Sequence, residues 1–276
     1  MPGSGHVDTN RLVSQLKANG WQWPTPKFLP SVGSTNEVLL GESPEEGTCL
    51  IAGEQTAGRG RGTNIWQAPA DTSLLLSIAL RPQIPVASWP WAGVLLASAT
   101  RSASSRYLSS EFETVLKWPN DIMIRETSQP STARKLGVVL SQSADGFCVT
   151  GVGLNVFQTP AQFGGLESAV SLSMVGQDPI SITDLAMLLL SSFKDSYLNW
   201  QSQWPTIGDE GVRQRYLKAC QTVGAEVEFI REGKQFVGRA IDVDSSGQLL
   251  VRLPDGQVLG LNSQTTVSVR NVEAYQ

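Results

Sequence analysis

An α/β or α+β core followed by a small all-β unit is the fold class this sequence predicts, on three observations. Up to about residue 203, apolar runs of strand length alternate with segments of helical period. From residue 223 the helical period is lost, and short alternating runs are separated by glycine-containing turns. A chain of 276 residues with 41% hydrophobic and 17% charged residues suits one substantial core with a smaller satellite. The division is expected at residues 1–221 and 222–276.

The elements follow in order. Residues 8–19 place Leu12, Val13 and Leu16 on one helical face, with Asp8 or Thr9 as cap and Gly20 as stop. Ser34 or Thr35 caps a short helix carrying Val38 and Leu39. The apolar runs 48–52 and 73–80 read as strands joined by a Gly- and Arg-rich loop. Pro90 suits the first turn of a helix reaching about Tyr107. Residues 115–124 read as strand, turn at Pro119-Asn120-Asp121, and strand; 135–142 and 147–156 form another pair around Asp145-Gly146. Ser181 with Asp184 opens a long amphipathic helix ending near Gln203. Strands are then expected at 225–231, 235–243, 249–253, 258–261 and 266–269, with turns at Glu232-Gly233, Ser246-Gly247 and Asp255-Gly256. A fragment of this texture suits a small β-barrel.

Composition excludes several classes of activity. The single histidine, His6, is expected in a frayed N-terminus, which removes Ser-His-Asp and Cys-His machinery and histidine-rich metal sites. Cys49, Cys148 and Cys220 are too few and too scattered for a disulfide framework or a zinc site, and read as buried thiols of a cytoplasmic protein. A net charge of −4 argues against a generic nucleic-acid binder. No apolar stretch approaches the roughly 20 residues that span a bilayer, and no basic, apolar leader is present. There is no Gly-x-x-x-x-Gly-Lys-Ser/Thr loop, and Gly151-x-Gly153 meets Val156 where a dinucleotide fingerprint needs its third glycine.

Five segments carry chemistry. In Gly58-Arg59-Gly60-Arg61-Gly62, alternate glycines free the backbone while two guanidiniums grip a carboxylate or phosphate. The others are Ser34-Thr35-Asn36, Lys117-Trp118-Pro119-Asn120-Asp121, Arg134-Lys135-Leu136-Gly137 and Gly151-Val152-Gly153-Leu154-Asn155. In this order they resemble the biotin protein ligases, from about Ser31 to the C-terminal β segment; the Lys-Trp-Pro-Asn-Asp run is the most specific. The resemblance implies a mixed-sheet core similar to class II aminoacyl-tRNA synthetases and biotin ligases, with an SH3-like tail. It implies ATP and biotin as substrates, Mg²⁺, and a biotin carboxyl carrier domain of an acyl-CoA carboxylase as partner. Only 33 residues precede Ser34, fewer than the roughly 60 of a winged-helix domain, so the expected form lacks a DNA-reading unit and binds neither DNA nor membrane.

Carried over residue by residue, the resemblance assigns Ser34, Thr35, Asn36 and Gln55 to the ureido end of biotin. Gly58, Arg59 and Arg61 hold the carboxylate and later the adenylate phosphate, and Trp66 offers a flat surface to adenine. Asn155 reads the adenine edge, Gly151 and Gly153 leave room for the acyl chain, and Lys117 with Asn120 serves the phosphates. Lys135 touches the transferring carboxylate and α-phosphate. Asp121 orients Mg²⁺ or the incoming lysine and accepts its proton. Fixed cations are what such chemistry requires, because a carboxylate must be brought against a polyphosphate. Structural roles fit the same residues: Ser34 as a helix cap, Trp66 as a core residue, the two glycines as a bent strand, Asp121 as a turn former.

Two departures from the family pattern stand out. Asn64 and Thr63 replace an arginine and a glycine common in the loop, and Val138 replaces a small residue beside the biotin chain. The first predicts slower ordering of the loop or weaker retention of the adenylate; the second predicts a tighter pocket or a rotated strand. Alternatives remain open in a lipoate- or octanoate-attaching enzyme of the same superfamily and in a non-catalytic biotin sensor.

Overall fold

The computed structural model describes residues 5–62, 64–129, 132–177, 179–231, 233–263 and 269–271. In chain order the elements are α1 (Thr9–Ala18), β1 (Lys27–Val32), α2 (Thr35–Glu42), β2 (Cys49–Gln55), β3 (Ser73–Leu80), α3 (Trp91–Ser105), β4 (Phe112–Lys117), β5 (Asp121–Glu126), β6 (Arg134–Ala144), β7 (Phe147–Asn155), α4 (Leu172–Val175), α5 (Ile182–Ile207), α6 (Glu210–Ala219), β8 (Glu226–Arg231), β9 (Lys234–Val243), β10 (Leu249–Arg252), β11 (Val258–Leu261) and β12 (Val269–Asn271). Seven strands form one sheet in the order β1-β2-β3-β7-β6-β5-β4, with β1 parallel to β2 and the remaining neighbours antiparallel. The second sheet, β11-β10-β9-β8-β12, is antiparallel throughout. Mixed α/β core and small C-terminal β unit are both present.

The β3 run Ser-Leu-Leu-Leu-Ser-Ile-Ala-Leu lacks alternation because all eight residues are buried, with the sheet covered on both faces. Leu74, Leu76, Ile78 and Leu80 pack into the main core with α3 and α5; Ala79 joins Leu39, Leu50, Phe147 and Val149 in a smaller cluster beneath α2. Each such buried leucine contributes about 2 kcal/mol of transfer free energy. Period-2 geometry then puts Ser77, Gly151 and Gly153 on the α2 face. There the sheet carries polar or vanishing side chains instead of apolar ones, and the candidate site opens there.

Several boundaries differ from expectation for identifiable reasons. The segment around His6 is not frayed: His6 meets the Phe28 ring edge-on at 5.4 Å, Val7 is buried, and the Asp8 amide donates to Thr183 Oγ1 at 3.0 Å. Ser34 occupies the cap position of α2 without a side-chain capping bond; Gln55 Oε1 accepts the Thr35 amide instead, at 2.7 Å. Helix α5 runs past Gln203 and through Pro205 to Ile207, held by Trp200 Nε1 donating to Asp209 and Trp204 Nε1 donating to Ser88. Strand β1 is an edge strand interrupted by Pro30 with no fully buried residue, so it showed no strand pattern. Helix α6 buries only Val212 and Tyr216 and showed no helical stripe. Thr63, Glu232 and the 266–268 part of the last expected strand lie outside the described residues.

Candidate active site

A small pocket of about 30 Å³ lies over the bare stretch of β7, bordered by the start of α2, Gln55, Ser77 and Trp66. Its hydrogen bonds form a continuous row. Thr35 Oγ1 lies 3.0 Å from Gln55 Oε1, and Ser77 Oγ lies 2.6 Å from both Thr35 Oγ1 and Asn36 Oδ1. Asn36 Nδ2 donates to Leu140 O and to Gln142 Oε1 at 3.1 and 2.8 Å. The row's three oxygen–oxygen contacts share two hydroxyl protons. Gln55 Oε1 is already served by the Thr35 amide. Thr35 Oγ1 donates to Gln55 Oε1 and the Ser77 hydroxyl donates to Thr35 Oγ1 and Asn36 Oδ1, so Thr35 Oγ1 keeps a second lone pair that a ligand N–H satisfies. Gly151 is required here: a Cβ would stand 2.2 Å from Asn36 Oδ1 and 2.6 Å from Ser77 Oγ.

The Gly58–Trp66 loop folds back as a narrow hairpin. Arg59 pairs with Ile65, the Gly60 amide donates to Asn64 O at 2.8 Å, and the Trp66 amide donates to Gly58 O at 2.9 Å. Gly58 permits this close return, since a Cβ there would lie 2.5 Å from Trp66 O. The Trp66 indole lies over Gly153, where a Cβ would come within 2.7 Å of the ring, and its buried Nε1 has no hydrogen-bond partner among the described residues. Arg59 is held by Glu37 in the first turn of α2, at 2.7 Å.

Beyond this pocket opens a cleft of about 690 Å³ that shares Arg59 and Leu140 with it. Arg61, Lys117, Asn120 and Asp121 line the cleft. Lys117 faces Asp121 across the β4–β5 hairpin, and Asp121 faces Val138 across β5–β6. A register shift between Ile122 and Met123 bends this edge, and Lys135 Nζ reaches Asp121 Oδ1 at 2.7 Å. Lys135 also stands 5.9 Å from the Trp66 ring centroid. Its backbone is pinned from outside, its amide donating to Ser168 O and its carbonyl accepting from Val170. Burial holds the Arg61 guanidinium below its ordinary pKa, and the Asp121 charge opposes that shift. Asn120 closes the hairpin onto β6 by donating from Nδ2 to Val139 O at 2.8 Å and accepting the Val139 amide.

The expected site residues therefore converge, with exceptions. Ser34, Thr35, Asn36, Gln55, Trp66 and Gly151 gather at the small pocket, and Arg61, Lys117, Asn120 and Asp121 at the cleft. Arg59 borders both, Gly58 lies beneath the loop, and Lys135 bonds Asp121. Asn155 stands apart: it is 4% exposed, donates to Val170 O, and accepts from Gln158, so both ends of its amide are used internally. The space that Gly151 and Gly153 leave is occupied by Asn36, Ser77 and Trp66. Val138 is buried and lines the small pocket. The sequence reading missed Ser77, Glu37 and Gln142. Ser77 was legible only as a polar residue interrupting an apolar strand.

Residues 28–156 match the Biotin/lipoate A/B protein ligase family, and residues 222–266 match the Biotin protein ligase C terminal domain. The chain is 31% identical to the biotin–[acetyl-CoA-carboxylase] ligase of Mycobacterium tuberculosis over 88% of its own length and 89% of that protein. The chain belongs to the biotin protein ligases. It is a ligase enzyme. It is also 25% identical to the bifunctional ligase/repressor of Escherichia coli, over 91% of this chain and 77% of that one. Among solved structures, the biotin protein ligase from Aquifex aeolicus in complex with biotin and ATP shares the fold, with a TM-score of 0.71 at 22% identity, covering 90% of this chain and 99% of that one.

Proposed function

We propose that this biotin ligase activates biotin with ATP as biotinyl-5'-AMP and transfers it to one lysine of a biotin carboxyl carrier domain of an acyl-CoA carboxylase. The observation that carries this reading is the meeting of a neutral hydrogen-bonding pocket with a cationic cleft at Arg59. Ser34, Thr35, Asn36 and Gln55 take the ureido ring, whose N–H groups meet the spare acceptor at Thr35. A lipoyl dithiolane has no N–H to offer, so the polar row favours biotin over lipoate. The acid's carboxylate oxygen attacks the α-phosphorus of ATP and pyrophosphate leaves. Arg59, Arg61, Lys117 and Lys135 hold the two anions together, and positioning and charge carry most of the acceleration. The carrier lysine then attacks the acyl carbon, AMP leaves, and Asp121 accepts the amine's proton.

Trp66 serves as the adenine platform once the ligand displaces it from Gly153, and Gly151 and Gly153 floor the acyl chain. Asn155 takes the adenine edge only by exchanging its bond to Gln158. Among the described residues no three His, Cys, Asp or Glu side chains converge. Mg²⁺ bound through one carboxylate and substrate phosphates needs no such cage, and Asp121 with Asn120 fits that donor set. When bound, the ion neutralises polyphosphate charge. Among the described residues an acceptor segment of the carrier has an open edge to meet: β5 pairs β6 only as far as Val138, and Asn120 covers Val139. Alternation then leaves the backbone groups of Ser141 and Ser143 directed outward at the cleft.

Intact-mass analysis of a purified carrier domain incubated with the protein, MgATP and biotin or lipoate tests this reading. A biotin-sized increase is expected, with Lys135→Ala lowering the rate at least about a hundred-fold. A lipoate adduct, or none with either acid, overturns it in favour of the lipoate-type enzyme or the non-catalytic sensor respectively.

A further inference from the structure

The turn that bears the cleft charges is stitched at two places, both through Trp118, to the segment leading into the second sheet and to a turn of that sheet. Its amide donates to Thr222 Oγ1 at 3.0 Å, and its indole Nε1 donates to Gly247 O at 3.0 Å. Thr222 lies in the segment between α6 and β8 and is fully buried; Trp118 is 3% exposed. Alongside, the Gln221 amide donates to Leu116 O and Cys220 forms an isolated parallel bridge with Leu116, at the end of β4.

The acceptor turn is itself rigid. Asp244 Oδ1 takes the Ser246 and Gln248 amides, the Gly247 amide donates to Asp244 O, and Gly247 adopts φ 81°. A second tryptophan, Trp91 on α3, donates to Ser245 O of the same turn at 2.8 Å. Trp91 therefore docks the sheet onto the helical layer, whereas Trp118 docks it onto the hairpin end carrying Lys117, Asn120 and Asp121.

We infer that Trp118 is a positioning residue through which the second sheet sets the placement of Lys117 and Asp121. The C-terminal unit thus shapes the cationic cleft through this tie, besides lining it with Ser246, Gly247 and Gln248. Replacing the indole by a phenyl ring removes the N–H and frees one end of this tie; neither Trp118 nor Thr222 lines the small pocket. The inference rests on the proposed adenylating activity, and its test has one arm that does not.

The full-length chain carrying Trp118→Phe, Thr222→Val or Trp91→Phe would be assayed for biotin-dependent ATP–pyrophosphate exchange, for biotin binding by calorimetry, and for amide hydrogen exchange over residues 116–122. Trp118→Phe is expected to lower kcat/KM for ATP about five- to ten-fold, the effect of one buried hydrogen bond, with biotin affinity within about two-fold. Exchange over 116–122 should quicken in the same variant. Trp91→Phe, which loses a bond to the same turn but not to the hairpin, should change neither. Equal effects of the two tryptophan variants, or unchanged exchange in Trp118→Phe, overturn the inference. Should Trp118→Phe fail to fold, Thr222→Val carries the same expectations with little change of volume. A wild type without pyrophosphate exchange refutes the adenylating activity, and hydrogen exchange still decides the role of Trp118.

Discussion

Gly151 shows how one residue type makes the pocket. Its missing side chain is replaced by Asn36 and Ser77, and Asn36 is fixed by Leu140 and Gln142, so it has nowhere to retreat. Gly151→Ala is expected to destabilise the fold by about 1–3 kcal/mol and to weaken biotin binding at least about ten-fold. Gly41, exposed in α2, meets nothing within 4 Å, and Gly41→Ala should leave stability equal or higher. Urea denaturation with calorimetry separates the two, and equal behaviour would refute the crowding argument. The thiols give a second residue-scale expectation. Burial, with a smaller contribution from Glu46, pushes Cys148 up to about 12, and burial moves Cys49 the same way. A thiol whose folded value is raised is fully stabilising below its unfolded value of about 8.5, and that stability is lost as pH rises toward the folded value. The stability advantage of wild type over Cys148→Ala should therefore shrink above about pH 9; a constant gap from pH 8 to 11 would remove the assignment.

At the scale of elements, the β4–β5 hairpin and its junction with β6 decide where charge sits. Asn120 bonds Val139 with both its side chain and its carbonyl, which ends the β5–β6 ladder and starts the open edge. Asn120→Ala keeps the backbone bond and orphans Val139 O, at a cost of about 1–2 kcal/mol. The expected kinetic result is a KM for ATP raised several-fold with biotin affinity unchanged, and a change confined to biotin affinity would contradict it. Runs such as 73–80 and 147–155 were legible as strands because both faces are buried and the sequence is almost continuously apolar. β1 and α6 were not, because an edge strand broken by proline and a helix with two buried residues lack the periodicity that burial imposes.

For the molecule as a whole, two layers of attachment bring the second sheet against the core. Arg213 donates to Val243 O at 2.6 Å and pairs with Asp242, while Trp91 and Trp118 hold the neighbouring turn. The cleft between them collects Arg59, Arg61 and Lys117, with Lys135 held behind Asp121, in a chain whose net charge is −4. Local charge, not the total, sets the attraction for a polyphosphate. Raising ionic strength from about 0.1 to about 1 M shortens the screening length from about 10 to about 3 Å. KM for ATP should rise at least several-fold under that change, and the KM for biotin by less; an insensitive KM for ATP would deny the cleft its electrostatic role.

The sequence by itself determined the class of fold, the order of the chemical segments and the family, because a Gly-Arg loop, a Lys-Trp-Pro-Asn-Asp turn and a Lys-Leu-Gly strand are local signals readable at fixed spacing. It also determined which faces are buried wherever apolar period or continuity was strong. Tertiary structure decided the partners. Glu37 was joined to Arg59, Ser77 to Asn36, and Gln55 to the end of α2, across separations of roughly 20 to 40 residues along the chain, as cross-sheet pairing brings distant residues together. It turned Asn155 inward to Gln158, laid Trp66 over Gly153, and placed Trp118 against a turn 129 residues away. Such contacts depend on strand register and on what a glycine leaves vacant, and neither is written in the spacing of residues along the chain.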